Sequence, residues 1–387
     1  MANSHYLHQT KALKRFDQKN DGYKRAYRRE PPLKKAGDRH YGTLRVPEGE
    51  KWNVPGNTLK DYAYAMGSYY VERMFGRGHA VGDYGLLKWI DDEKEVTEIN
   101  RMAPGYRYEV KDPSAMSMDV KKAAKKLGAT DVGISELNPL WVYSHAYNPI
   151  THEHYPLEID FNEYKYAIVF LVEMDYEMQQ TSPSHLMGAT VAYGYSKIVY
   201  LAGQMAHFIR GMGYKAIPSG NDTALNIPLA VDAGLGELGR NGLLISRNWG
   251  PRVRIGKILT NLPLSPDLPI SLGIERFCNV CKICAEECPG RAISSNGLSD
   301  KPVNISTNPG VFKWPIDAEK CFGYWGRSMV GCGNCIRTCP FNKPKSKLHE
   351  FGRYVVRKFP LFDREMVWID KLLGYSKRTD PRKFWAN

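Results

Sequence analysis

The longest compact apolar run in the chain is Tyr166-Ala-Ile-Val-Phe-Leu-Val172. A run of that length without polar alternation predicts a strand buried on both faces. No run approaches the roughly 18 apolar residues of a bilayer-spanning helix. Around it, helix and strand signals alternate. A helix is expected over Asp119–Leu127 with Gly128 as its C-cap, and a strand over Thr130–Ile134. Periodic apolar positions from Leu186 to Gly211 predict a long helix that closes at Gly211-Met-Gly213. A short strand (Tyr214–Ile217), a loop (Pro218-Ser-Gly-Asn-Asp-Thr223) and a helix through Ala233 follow. Further strands are expected near Leu243–Ser246 and Arg254–Leu259. Upstream, residues 61–76 (DYAYAMGSYYVERMFG) predict an aromatic-rich helix. Residues 1–60 are polar and turn-rich (Pro31-Pro32, Pro47, Pro55-Gly56) and predict an irregular wrapping arm.

Gly234-Leu-Gly236-Glu-Leu-Gly239 matches a dinucleotide fingerprint in letters only. That fingerprint needs a strand before it, a helix after it and an acid about 20 residues on. Here the expected order is helix, glycines, strand, and Lys257 to Thr260 holds no acid. A glycine-rich turn is the better expectation.

Composition adds two facts. With 43% hydrophobic residues the chain of 387 can bury a core, which excludes wholesale disorder. The formal charge of +13 sits in the ends: residues 1–60 carry a net +8, residues 343–387 a net +7, and the middle −2. Such ends suit a docking surface toward an anionic partner, or merely a solvated face.

All eight cysteines fall between residues 278 and 339. The first group is Cys278-x2-Cys281-x2-Cys284-x3-Cys288-Pro; the second is Cys321, then Cys332-x2-Cys335-x3-Cys339-Pro. This is the bacterial ferredoxin spacing, in which the fourth cysteine of each run crosses to the other cluster. One [4Fe–4S] cluster is thus assigned Cys278, Cys281, Cys284 and Cys339, and the other Cys321, Cys332, Cys335 and Cys288. Disulfides suit a small secreted domain, and structural zinc prefers paired C-x2-C knuckles. Two clusters in series form a wire, and some 300 residues remain for whatever terminates it.

The stretch GNDTALNIPLAVDAGLGELGRNGLLISRNWGPRVRIGKILTNLPLSPDLPISLGIERFCNVCKICAEECP resembles the core of a respiratory reductive dehalogenase. So does CFGYWGRSMVGCGNCIRTCPFNKP around the second group. The resemblance runs from about residue 117 to 345. It implies an α/β (α+β) chain: a nitroreductase-like cobalamin-binding core with an inserted ferredoxin-like 2[4Fe–4S] domain. The divisions expected are 1–116 (wrapping and substrate access), 117–269 (cobalamin-binding core), 270–342 (ferredoxin-like domain) and 343–387 (tail on the core). The implied cofactors are two [4Fe–4S] clusters and a base-off corrinoid with no protein ligand to cobalt. In keeping with that, Asp38-Arg-His40-Tyr-Gly42 misses the cobalt-ligating D-x-H-x-x-G pattern.

The resemblance also implies the reaction R–X + 2e⁻ + H⁺ → R–H + X⁻ on a small organohalide. The family's tyrosine proton donor falls on Tyr195 in Ala192-Tyr-Gly-Tyr195-Ser-Lys197, its arginine on Arg254 in GPRVR, and its asparagine on Asn221 in Gly-Asn-Asp-Thr. Tyr193 and Arg252 are near competitors: two residues along a helix faces another side, but period two on a strand keeps one face. Trp325 is a candidate pocket residue or a core aromatic. The implied partners are a small integral-membrane anchor protein and an electron donor of the respiratory chain. A homodimer is a further expectation, and nucleic acid is not expected. The implied location is the outer face of the cytoplasmic membrane after twin-arginine export. Arg28-Arg29 lacks an apolar h-region and is not such a signal, so a mature or recombinant form is expected. Two alternatives stand: epoxyqueuosine reductase, which acts on tRNA with the same cofactors, and a plain two-cluster electron carrier.

Overall fold

A computed structural model, which describes residues 7–42, 52, 54–76, 85–89 and 105–386, places the apolar run at the centre of the main sheet. The strands are β1 (Asp131–Glu136), β2 (His145–Tyr147), β3 (His154–Pro156), β4 (Tyr166–Glu173), β5 (Ala216–Ser219), β6 (Gly236–Leu238), β7 (Leu244–Ser246) and β8 (Val253–Thr260). The sheet order is β1-β4-β8-β5, antiparallel throughout, with Ile134 opposite Ile168 and Val172 opposite Arg254. Side chains of β4 alternate between two cores. Ile168, Phe170 and Val172 pack with Ile198, Ala202, Met205 and Ile209 of the long helix (His185–Gly211). Ala167, Val169 and Leu171 pack with Leu229, Ala230 and Val231 of the helix Asn226–Asp232 and with Trp141. Each such fully buried aliphatic or aromatic side chain contributes about 1.5–3 kcal/mol, so the sheet is a stiff platform for what lies at its edges.

The structure moves several expected boundaries. The helix expected from Asp119 begins at Pro113, because Asp112 caps it by accepting from Ser114 N (2.8 Å) and Pro113 suits the first turn. It therefore crosses the division drawn at residue 117. The short strand starts at Ala216 rather than Tyr214. Residues 61–76 form two helices, Leu59–Ser68 and Tyr70–Phe75, the first opened by a Thr58–Asp61 capping box. The arm is not irregular throughout, since Gly22–Tyr27 and Lys34–Gly37 are helical. Its expected turn at Pro47 lies outside the described residues. The Gly234–Gly239 segment follows a helix, as expected, but is the entry to the β6–β7 hairpin rather than a simple turn. A Cβ on Gly236 would lie 2.4 Å from Ile245 O, which explains the glycine without any nucleotide.

Residues 274–342 carry four short helices, Ile274–Val280, Ile283–Glu286, Ala318–Ser328 and Asn334–Arg337. They close over a small core that includes Phe277, Trp314 and Phe341. The arm bridges this unit to the sheet. Thr10 N donates to Gly310 O (2.9 Å), Arg25 pairs with Glu319 (2.7 Å), and Arg15 Nη2 donates to the carbonyls of Tyr143 and Leu157 (2.6 and 2.8 Å). The tail returns to the core: Arg378 Nε donates to Thr181 O (2.9 Å) and Trp385 Nε1 to Asp61 (2.7 Å). Part of the basic excess is thus consumed internally. Among the described residues, no helix is long and apolar enough to cross a membrane.

Candidate functional site

Tyr195 stands on the long helix where that helix crosses β8. The crossing is close because residue 194 is glycine: a Cβ there would meet Arg254 Cγ at 2.8 Å. Arg254 therefore lies along the helix surface, with its guanidinium over the Tyr195 ring (4.9 Å) and Nη1 3.3 Å from the phenol Oη. From the loop after β5, Asn221 Nδ2 donates to the same oxygen at 2.9 Å. The three residues singled out in the sequence are brought together at one atom. Arg254 Nε is buried and makes no hydrogen bond to any described residue.

The competitors separate. Tyr193 is 51% exposed and carries Lys197 over its ring (4.4 Å), away from Arg254. Arg252 precedes β8 instead of lying on it, so the period-two argument does not apply. It is buried, pairs with Glu173 and donates from Nε to Asn342 Oδ1 (2.9 Å) in the Pro-Phe-Asn-Lys segment after Cys339. Its role is to join sheet to cassette.

Tyr23 of the arm is 48% accessible, yet the surrounding protein pushes its phenol well above the ordinary value. Desolvation dominates, and Cys321, Tyr195, Asp21 and Tyr41 add to it. Tyr69, whose ring stacks near Tyr195 (6.5 Å, 17°), is raised the same way by burial and by Tyr195. Burial also raises Asp21 and pulls Lys24 down to about 8. Tyr23 feels both Cys321 and Tyr195. Trp325 lies in the aromatic cluster behind Tyr23 (5.4 Å), with His40 and Phe322; its Nε1 is buried with no hydrogen-bond partner among the described residues.

The eight thiols are all free. Burial raises Cys339 well above its ordinary value, with Cys278, Cys284 and Cys281 adding. Burial raises Cys321 to about 12, with Cys332 and Cys288 adding, and raises Cys335 well above its ordinary value, with Cys332, Cys321, Cys284 and Cys288 adding. Thiols so desolvated resist ionisation unless a cation compensates them, and ferric or ferrous iron does so. A donor set of eight grouped cysteines, four of them buried and four half-buried, suits two iron–sulfur clusters.

The residues missed in the sequence are those that hold these groups from outside. Arg240, 2% exposed, donates from Nε to Cys278 O and Cys281 O (2.9 and 3.1 Å) and from Nη1 to Ser294 O and Asn296 O (2.7 and 3.0 Å). Its neighbour Asn241 donates to Cys335 O (3.2 Å). One hairpin turn thus reaches both cysteine groups. From the core, Gln179 Nε2 donates to Gly333 O (3.1 Å) and Gly333 N to Ser182 Oγ (2.8 Å). For Arg240 and Asn241 the available signal was their place in the AGLGE-x-GRNGLL block; Gln179 and Ser182 lie outside it.

Residues 152–264 match the family model described as reductive dehalogenase subunit, and residues 277–342 match the 4Fe-4S double cluster binding domain. The tetrachloroethene reductive dehalogenase of Desulfitobacterium hafniense is 36% identical over 334 residues, 77% of this chain and 60% of that protein. An epoxyqueuosine reductase of Aliivibrio fischeri is 34% identical over 123 residues, 31% of each chain. A solved structure, titled as a reductive dehalogenase that suggests a mechanism for B12-dependent dehalogenation, matches with a TM-score of 0.76 at 24% identity. It covers 100% of this chain and 50% of that one, so the whole described fold is shared. The chain spans about 60% of the length of that curated dehalogenase and half of that solved chain.

Proposed function

We propose that this chain, which belongs to the reductive dehalogenase family, removes halide from small organohalides by R–X + 2e⁻ + H⁺ → R–H + X⁻. The observation that carries the proposal is the convergence of Asn221 and Arg254 on the phenol oxygen of Tyr195. A phenol titrates near 10 in water, so a useful proton donor needs its phenolate stabilised. A guanidinium over the ring and an amide N–H at the oxygen supply that stabilisation. Tyr195 gives its proton to the carbon that loses halide, and Arg254 and Asn221 hold the resulting phenolate until solvent reprotonates it.

Cys278, Cys281, Cys284 and Cys339 would hold one [4Fe–4S] cluster, and Cys321, Cys332, Cys335 and Cys288 the other. A corrinoid would sit beside Tyr195, against which Tyr69 stacks. When bound, it supplies the reduced cobalt centre at which the carbon–halogen bond is broken, and the clusters supply its electrons. Arg254 Nε, buried and unpartnered among the described residues, suits a polar edge of such a group.

We assign the protein to the outer face of the cytoplasmic membrane, with a small integral-membrane protein as anchor and a respiratory donor for electrons. The basic residues of the ends that remain exposed, Lys347, Arg357 and Arg364 among them, suit that docking. The alternative, reduction of epoxyqueuosine in tRNA, draws support from a match to less than a third of the chain and is disfavoured. The test is anaerobic reconstitution with cobalamin and iron, then halide release over an organohalide panel. Tyr195→Phe should keep both cofactors and lose most turnover. Cobalamin uptake without halide release, together with reduction of epoxyqueuosine tRNA, would overturn the proposal.

A further inference from the structure

Lys257 lies on β8, fully buried, and donates from Nζ to Gly220 O (2.7 Å), Asp222 O (2.9 Å) and Asn226 Oδ1 (2.8 Å). An ammonium has three N–H groups and no acceptor. Three oxygens use all of them, whereas the lone pair of a neutral amine would face an oxygen with nothing to bind. Burial pulls this ammonium down to about 7, and Asp222 opposes the shift. The three acceptors favour the charged form.

The donation settles how the next amide faces. With Asn226 Oδ1 accepting from Lys257, its Nδ2 supplies two hydrogens, to Asn221 Oδ1 (2.9 Å) and to the acceptor-only carbonyl of Ile255 (3.2 Å). Reversing the Asn226 amide would set oxygen against oxygen at two contacts and N–H against N–H at the third. Asn221 Oδ1 is then an acceptor, which leaves Asn221 Nδ2 for Tyr195 Oη. We infer that Lys257 is a positioning residue that acts through Asn226: it sets the polarity of the Asn221 amide, so that an N–H and not a carbonyl oxygen faces the Tyr195 phenol.

The consequence lies at the phenol. Its oxygen accepts from Asn221 and Arg254, so its own O–H points elsewhere and its anion is stabilised. With the Asn221 amide reversed, Oδ1 would bind the hydroxyl proton and face the phenolate with a lone pair. The charged and titratable groups around this chain are Arg254, Tyr69 and Tyr23 beside Tyr195, and Asp222 beside Lys257. The inference rests on the reading of Tyr195 as proton donor.

Asn226→Asp tests it with almost no change in shape. The carboxylate still accepts from Lys257 but cannot donate, so Asn221 must turn Nδ2 toward it and Oδ1 toward Tyr195. In isotope-labelled protein, cross-relaxation between the Asn221 side-chain amide protons and the Tyr195 ring protons should be present in wild type and lost in Asn226→Asp. In the reconstituted enzyme, kcat should fall on the order of 10- to 100-fold with KM nearly unchanged, as expected for losing a hydrogen bond to a charged oxygen. The pH–rate profile should move to higher pH. Lys257→Met leaves the Ile255 carbonyl to hold the Asn226 amide, so it should give the same effects at smaller size, and a folded Lys257→Met with wild-type cross-relaxation and kcat overturns the role of Lys257; Asn226→Asp decides if that variant does not fold. Retained cross-relaxation, or a wild-type kcat and pH profile in Asn226→Asp, overturns the inference. If Tyr195→Phe is inactive while Asn226→Asp behaves as wild type, only the polarity argument fails. If Tyr195→Phe turns over normally, the donor reading fails instead.

Discussion

Gly194→Ala sets two effects of known size against each other. Position 194 is interior to the long helix, where exchanging glycine for alanine favours the helix by about 1 kcal/mol. The added Cβ, however, would lie 2.8 Å from Arg254 Cγ. Carbon atoms in contact prefer about 3.5–4.0 Å, so the arginine stem must retreat by roughly 0.7–1.2 Å. Cγ is close to the backbone of a strand paired here with β4, so the stem cannot swing away freely. Overpacking of this kind costs about 1–3 kcal/mol, which cancels or exceeds the helical gain. The functional effect should be larger. Arg254 Nη1 is already 3.3 Å from Tyr195 Oη, and a retreat of that size takes it beyond hydrogen-bond range. Since removing one stabilising donor costs about 100- to 1,000-fold in kcat, displacing one should cost at least about 10-fold. Halide release by the reconstituted enzyme and calorimetric melting of the same samples are the assays. A variant that melts higher than wild type and keeps its turnover would refute the reasoning, because helix propensity alone would then govern the position.

The crossed ligation can be counted in iron. In Cys278→Ser/Cys339→Ser both lesions fall on one cluster, so about four irons per chain should remain, whereas Cys332→Ser/Cys339→Ser should lose nearly all; the reverse pattern in metal analysis would exclude crossing. Asp232 gives a prediction about pH. Burial raises its carboxyl to about 6, against the opposing hydrogen bond from Trp141 Nε1 (2.7 Å). The folded state therefore holds the proton more tightly than the unfolded one, and stability falls as pH rises from about 3.8 to about 6. Asp232→Asn keeps an oxygen for Trp141 and should be more stable than wild type at pH 7 by about 3 kcal/mol. The difference should vanish below about pH 4; urea titrations showing equal differences at both pH values would contradict this.

What was legible in the sequence follows from the range of the interactions involved. Thiolate spacing is local, so the cysteines declared a cluster cassette at once. β4 and the long helix were legible because apolar continuity and period are local as well. Asp112-Pro113 was a readable helix start and was passed over in favour of the apolar positions downstream. Arg240, Asn241, Asn226 and Lys257 were not legible. A buried charged residue looks like a surface residue in sequence, and the partners of Arg240 and Lys257 lie 31 to 56 positions away. Tyr195, Asn221 and Arg254 are equally dispersed, and only the family resemblance singled them out. The antiparallel order of the sheet and the packing of Tyr23 on Phe322 and Trp325 are long-range outcomes with no local signature.

The hairpin turn at Arg240 and Asn241 bears on how the molecule comes apart. Because these two side chains fasten both cysteine groups to the strand pair β6–β7, the cassette has no boundary at which it can melt by itself. Loss of iron would strip the carbonyls they grip of their fixed positions and leave a buried guanidinium without acceptors. Iron–sulfur unit and sheet should then behave as one cooperative body: chelation and heat become two routes to the same transition, and the melting temperature reports metal occupancy.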